Sequence, residues 1–498
     1  MSTETNRPIR TRIAPSPTGL PHVGNIRNAV YSWLFARHHG GQFVFRLEDT
    51  DRERYDAASE QALYRAFRWL GLDYDEGPDK GGAYGPYVQS ERLEQYQAVA
   101  QQLIEQGNAY KCYCTRERIS QIREARQKAN IHPYGYDRHC RALTDEERQR
   151  LDEAGTPYVV RFAIPQEGAT SFEDSVRGTI TYQNRELDDH VILKSDGFPT
   201  YQLANVVDDH LMEITHVIRS EEWIPSTPRH VLEYQALGWT PPVFAHPGLI
   251  QGRDPVSGKI SKLSKRHGAV YVGEYEDQGY LADALVNFIS LLGWAPGGDI
   301  EIMSREEMIR LFSLDGLNGA PSVFDVDKLN WMNGMYIRSL SEEALVEMCL
   351  PFLQKAELVG AELSAEERDY LRRVLKLEQE RLKTLAEAPE VMAFFFHEPI
   401  EYDEAAVNKR LKSPQAGAAL DAVIGKFAAV ENWVAAELDA GVTAASEELG
   451  VKRGEVIHPT RVAATGRMVG PSLFDTLEVL GRERVLARLA DARSRFAV

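Results

Sequence analysis

Four cysteines in 498 residues are too few for a disulfide framework, which excludes a small stapled secreted fold. No run of about 18 apolar residues offers a membrane span, and residues 1–12 lack the apolar centre of a secretory signal. The cytoplasm is therefore the expected address, although an organelle chain already relieved of its transit segment would read the same. A basic excess is missing as well. With a formal net charge of −17, any nucleic-acid partner must be held on local cationic faces of an acidic body. The commoner nucleotide loops are absent too: there is no G-x-G-x-x-G, and GRDPVSGKI at Gly252 has five residues between its glycines and no Ser or Thr after Lys259. No Ser-His-Asp set, paired-carboxylate arrangement, internal repeat or low-complexity segment is found.

What is present begins at Arg10 to Arg54, which reads as strand, loop, helix, strand. Thr11 to Ala14 is extended; Pro15 and Pro17 bracket a turn that Gly19 lets fold back. Pro21 suits the first position of a helix whose apolar residues fall at Ile26, Val30, Trp33 and Leu34, and Phe43 to Leu47 is the next strand. A helix start after a tight loop carries unpaired N–H groups and a partial positive charge, and so attracts an anion. His22 and Asn25 in the first turn could add donors, and Gly24 would let a nucleotide lie close. About 240 residues on, SGKISKLSKRHGAV crowds Lys259, Lys262, Lys265 and Arg266 together. Alone it reads as a solvated basic loop; paired with the helix start, it reads as a cationic strap over a pyrophosphate leaving group.

HVGN at His22 to Asn25 resembles the HIGH signature, and KLSKR at Lys262 to Arg266 the KMSKS signature, of class I aminoacyl-tRNA synthetases. RIAPSPTG, RLEDTDRER, HVIRSEEW and the C-terminal HPTRVAATG resemble the bacterial glutamyl branch, so the likeness spans nearly the whole chain. It implies ATP with Mg²⁺, L-glutamate and tRNA(Glu), with tRNA(Gln) as a further acceptor to consider, no membrane, and a monomer. It assigns His22, Asn25, Lys262 and Lys265 to catalysis, and Pro15, Ser16, Thr18, Gly19, His22, Gly24, Asn25 and Lys265 to ATP. Arg219 ends a strand where open α/β sheets gather ligand groups, and a guanidinium can grip the amino-acid carboxylate with two parallel hydrogen bonds. Arg12 would then recognise the glutamate side chain; by resemblance Glu48 and Tyr201 join them, Glu48 facing the ammonium group. Ser220 and Trp223 depart from the family pattern, standing where many relatives carry Gly and His.

Cys112, Cys114 and Cys140, with Tyr136 and His139 nearby, are compatible with a tetrahedral zinc site, the alternative being three reduced thiols. In zinc-binding family members the last ligand is commonly a His two positions past the third Cys. Here that place is Ala142, so Tyr136, His139 or water would complete the set. Cys349 reads as core.

The expected fold is α/β. A Rossmann-type parallel-sheet catalytic domain (1–110 and 190–255) is split by an α+β acceptor-end lobe (111–189). The KMSKS-type loop and a helical connecting domain (256–335) follow, then an all-helical anticodon-binding domain (336–498). Helices are expected at Arg54 to Leu70, Glu91 to Gln106, His230 to Trp239 and Ser364 to Ala388, the last opened by a Ser364–Glu367 capping box and stopped at Pro389. Phe244 to Gln251 reads as one strand. Arg372, Arg373, Lys376, Arg381 and Lys383, then Lys409, Arg410 and Lys412, then Lys452 and Arg453, are the cationic faces available to tRNA. Of these, Arg381, Lys383, Lys452 and Arg453 are the candidate contacts.

Overall fold

The computed structural model describes residues 7–254, 257–264 and 271–497. They form two compact units, one of the described residues up to 276 with 285–326 and one of 277–284 with those from 327 onward.

The first unit is built on a six-stranded sheet. Strand β1 (Arg10–Ile13) leads into helix α1 (Val23–His38) and returns as β2 (Gln42–Phe45), parallel to β1 in the register Arg12↔Val44. Helix α1 starts two residues later than Pro21 suggests: His22 is the N-cap, its Nδ1 accepting from Gly24 N at 3.1 Å, and Pro21 lies outside the helix. Helices α2 (Ala57–Leu70, capped by Asp56) and α3 (Leu93–Glu105) follow, each inside its expected range.

The segment after α3 divides between two sheets. Strand β3 (Ala109–Cys112), helices α4 (Arg116–Lys128) and α5 (Asp145–Glu153), and β4 (Val159–Phe162) come first. Then come β5 (Ala169–Asp174), β6 (Gly178–Gln183) and β7 (Val191–Leu193). Strands β3, β4 and β7 make a small antiparallel sheet, whereas the β5–β6 hairpin extends the edge of the main sheet. Helix α6 (Tyr201–Leu211), β8 (His216–Ile218), α7 (Thr227–Leu237) and β9 (Val243–Ala245) complete the main sheet, in the order β2-β1-β8-β9-β5-β6. All pairings but β5–β6 are parallel. The strand order turns back on itself between β1 and β8, and such switch points open a crevice beyond the strands' C-terminal ends.

The single strand expected from Phe244 to Gln251 is two. Strand β9 ends at Ala245, and beyond Pro247 and Gly248 β10 (Ile250–Arg253) joins a second sheet with β11 (Ile260–Lys262) and β12 (Ser322–Phe324). Gly248 is required there, because a Cβ would fall 2.2 Å from the Ala320 carbonyl oxygen.

The second unit is helical among its described residues, around a core that includes Cys349, Leu371, Phe395, Leu420, Phe427 and Leu489. The Ser364–Glu367 capping box forms, but its helix ends at Glu378, ten residues short of the expected Ala388. Gln379 turns its amide to the carbonyls of Ile337 and Leu340, at 2.9 and 3.0 Å, and Pro389 falls in the first turn of the next helix rather than stopping this one. Tertiary hydrogen bonding there outweighs local helix propensity.

Candidate active site

A cleft of about 620 Å³ opens at the switch point. Arg12, Pro15, Ser16, Thr18, Asn25, Glu48, Tyr201 and Arg219 line it, together with Trp223 and Lys194. His22, Gly19 and Gly24 stand outside that lining.

His22 does two things at once. Because Nδ1 accepts from the Gly24 amide, the ring proton sits on Nε2, leaving one directed donor. Burial, reinforced by Lys262, holds the imidazole below its ordinary pKa, so His22 is neutral at physiological pH. Among the described residues a Cβ on Gly24 would meet the His22 ring alone, Nδ1 at 3.4 Å and Cε1 at 4.0 Å, and Gly24 has no positive φ. Nothing among the described residues forbids a side chain there. Gly24→Ala should therefore melt like the wild type while raising KM for ATP; an unchanged KM would mean the nucleotide does not pass this atom.

Beneath the cleft lies a buried ion network. Arg12 donates to Asp209 (3.1 Å) and Asn205 (3.1 Å); Arg46 reaches Asp209 (2.7 Å), Glu48 (3.2 Å) and Asp208 (3.6 Å); Arg92 donates to Asp208 (2.7 Å). Three guanidinium groups thus meet three carboxyl groups. Burial pushes the Asp209 carboxyl up, but Arg12 and Arg46 more than reverse it and hold it below the usual range. At Glu48 burial prevails over Arg46 and Arg12, and its pKa is raised. A neighbouring cation would oppose that shift and favour the carboxylate.

Arg219 stands apart. It is 4% exposed, and its partners are all neutral: Nη1 donates to Tyr201 Oη (2.7 Å), Nη2 to Thr227 Oγ1 (2.9 Å) and Nε to His246 Nε2 (3.1 Å). Among the described residues it forms no ion pair. Burial accordingly lowers its pKa. A buried cation with no counter-ion facing an open cleft is prepared for an anion. Trp223, one of the two departures, packs its ring 4.6 Å from that of Tyr201 and so walls this end of the cleft.

Lys262 ends β11 and pairs with Glu222 at 3.4 Å, both exposed. Lys265 lies outside the described residues. Asn205, Asp208 and Asp209 were missed by the sequence reading. Their signal was available: polar residues at i, i+3 and i+4 on one face of the largely apolar YQLANVVDDHL mark a buried polar stripe.

The cysteines converge. Cys112, Cys114 and Cys140 have their sulfurs within 4.8 Å of one another, and Tyr136 Oη lies 3.4 Å from Cys112 Sγ and 3.7 Å from Cys114 Sγ. His139 is exposed. In the second unit, Arg381 pairs with buried Glu378 (3.2 Å) and lines an open groove with Arg373 and Lys376. Lys383, Lys452 and Arg453 do not line it; Lys452 is an N-cap, and Arg453 pairs with Asp439. Arg372, Arg373 and Lys376 are each ion-paired on the surface, as an ordinary solvated helix face would be.

Residues 8–331 match the model of the class I tRNA synthetase catalytic domain (E and Q), and residues 344–493 that of an anticodon binding domain. The chain belongs to the class I tRNA synthetases. Within this family it is 48% identical to the glutamate–tRNA ligase of Dehalococcoides mccartyi over 98% of both chains. It is 44% identical to that of Moorella thermoacetica over 97% of both. A solved glutamate tRNA ligase from Elizabethkingia meningosepticum, in complex with its amino acid, matches with a TM-score of 0.89 at 35% identity, covering 98% of this chain and all of that one. As a synthetase of the glutamate branch, the chain has the expected α/β catalytic fold with helices beyond it. No helix among its described residues is long and apolar enough to cross a membrane.

Proposed function

We propose that this synthetase is a glutamate–tRNA ligase working in two steps. A carboxylate oxygen of L-glutamate attacks the α-phosphorus of Mg-ATP; the bond to the β-phosphate breaks, and pyrophosphate leaves. A ribose hydroxyl of the terminal adenosine of tRNA(Glu), the 2′-hydroxyl by class resemblance, then attacks the mixed anhydride and releases AMP. The substrate supplies its own nucleophile, so the chain's task is positioning and charge neutralisation.

The observation that carries the reading is Arg219, the buried cation whose partners are all neutral, beside Glu48, a carboxyl raised by burial. Arg219 grips a glutamate carboxylate, and Glu48 accepts from the ammonium group. Arg12, already paired with Asp209, offers the other carboxylate a polarised rather than a bare guanidinium. The ATP phosphates lie against the first turn of α1, where His22 Nε2 and Asn25 donate, near the turn of Pro15, Ser16, Thr18 and Gly19. Lys262 and Lys265 neutralise the departing pyrophosphate. The segment 111–189 meets the acceptor end, 190–255 completes the catalytic domain begun in 1–110, and 256–335 connects it to an anticodon reader, 336–498. There Arg381 is the leading tRNA contact and Lys383, Lys452 and Arg453 are secondary. The enzyme works in the cytoplasm as a monomer.

Charging with labelled glutamate, offered purified tRNA(Glu) and tRNA(Gln) separately with glutamine as control, tests this. Acylation of tRNA(Glu) alone marks a discriminating enzyme, and acylation of both a relaxed one. With folded protein and Mg²⁺ present, no charging of either would reject the reading.

The thiol cluster fits zinc: three sulfur donors and a phenol oxygen converge as a tetrahedral ion requires, and Tyr136 rather than exposed His139 completes the set. When bound, the metal would tie α4 and the loop after it to β3. Elemental analysis should find zinc stoichiometric with the wild-type chain and lost in Cys140→Ser; a metal-free wild type would leave three reduced thiols as the correct account.

A further inference from the structure

Arg219 has a support that reaches across the sheet to a residue far from the cleft. Its Nε donates to Nε2 of His246, and Nδ1 of His246 lies 2.5 Å from Oδ2 of Asp174. His246 is 0% and Asp174 3% exposed. The three residues sit at the C-terminal ends of neighbouring parallel strands: Arg219 follows β8, His246 follows β9, and Asp174 ends β5.

The hydrogen bonds admit one arrangement of protons. A guanidinium Nε can only donate, so His246 Nε2 must accept; the ring proton is therefore on Nδ1 and is donated to the Asp174 carboxylate. Burial, with the nearby Arg219, keeps the ring from gaining a second proton and lowers its pKa to about 4 in spite of Asp174. Asp174 is itself fixed, since its Oδ1 accepts from the backbone amides of Val176 (3.0 Å), Arg177 (3.1 Å) and His246 (3.3 Å). Hydrogen-bonded neighbours of this kind commonly set the tautomer of a functional histidine.

We propose that Asp174 and His246 are positioning residues for amino-acid recognition: Asp174 selects the His246 tautomer, and that tautomer aims the Arg219 guanidinium at the substrate carboxylate. The proposal rests on the reading of Arg219 as the carboxylate ligand.

Asp174→Asn separates this role from mere packing. The three amides at Oδ1 hold an oxygen there, so the new NH₂ must replace Oδ2 and face His246 Nδ1. The ring then takes the other tautomer, and Nε2–H points at the Arg219 donor. A buried donor set against a donor loses its bond and keeps its desolvation cost, so KM for glutamate in aminoacylation of tRNA(Glu) should rise at least about tenfold. KM for ATP should stay put. The pair His246→Gln and His246→Asn gives a second readout: the Gln amide reaches the place of Nε2 and can still accept from Arg219, whereas the Asn amide reaches only the place of Nδ1. Gln should preserve much of the glutamate affinity and Asn should not. Nitrogen NMR of the histidines should report Nδ1–H for His246 in the wild type and Nε2–H in Asp174→Asn.

If Asp174→Asn melts too low to assay, the His246 pair decides. A raised glutamate KM in Arg219→Met beside a wild-type KM in Asp174→Asn, or equal effects of Gln and Asn at 246, would overturn the relay alone. A wild-type KM in Arg219→Met would overturn the carboxylate reading and the relay with it.

Discussion

Arg219→Met should lower kcat/KM for glutamate by about three orders of magnitude, because removing one partner of a buried charge pair costs some 2–5 kcal/mol and each 1.4 kcal/mol is tenfold. The loss belongs to the complex. In the free protein the guanidinium's partners are Tyr201, Thr227, His230 and His246, none of them an anion, so its removal breaks hydrogen bonds but strands no opposite charge. Arg12 makes the contrast. Arg12→Met would leave Asp209 buried with Arg46 alone, and loss of one member of such a pair destabilises by about 3–5 kcal/mol. Thermal melting and glutamate titration of the two variants should therefore diverge: Arg219→Met binds poorly but melts near the wild type, and Arg12→Met melts early. If Arg219→Met still bound glutamate normally, the unpaired guanidinium would need another anion.

Lys265→Ala is expected to leave glutamate binding near normal and to cut the activation rate about a hundredfold or more, the cost of losing one donor aimed at charge that develops only in the transition state. Rapid-quench measurement of adenylate formation separates the two quantities. Lys262, held by Glu222 on the surface, should show the smaller effect of the strap lysines, because it must leave one carboxylate to serve another anion. An unchanged rate in Lys265→Ala would take that lysine out of the mechanism.

Much of this was legible in the chain itself, because the decisive signals are local. The loop before α1 and the Ser364 capping box each lie within a few residues, and the opening βαβ unit is one unbroken stretch of chain. What could not be read depends on distant neighbours. Gln379, where that helix stops, is bonded through its side chain to carbonyls about 40 residues away. Phe244 to Gln251 looks like one strand until two sheets claim its halves. Asp174 and His246 are unremarkable singly, a strand-end carboxylate and a buried histidine, and 72 positions separate them. Only the order in which β8, β9 and β5 lie side by side makes them neighbours of Arg219. The buried stripe on α6 is the intermediate case, since its spacing was visible but its partners were not.

The pairing of β3 with β4 also bears on how this chain could be recombined with its relatives. Cys112 stands opposite Val159 in that ladder, so the chain leaves the body and returns to it at a single point. What lies between is tied back to the body as well, since Arg138 and Arg141 both reach the buried Asp189 carboxylate, so a segment spliced in at 113–158 would keep the registers on either side only if it brought a cation for Asp189. A splice at 111–189 would be another matter. It would carry off the β5–β6 edge, and with it the carboxylate that steadies the ring behind Arg219. A chimaera designed by domain labels would thus inherit a crippled amino-acid pocket, whereas one cut at the rung would keep its own.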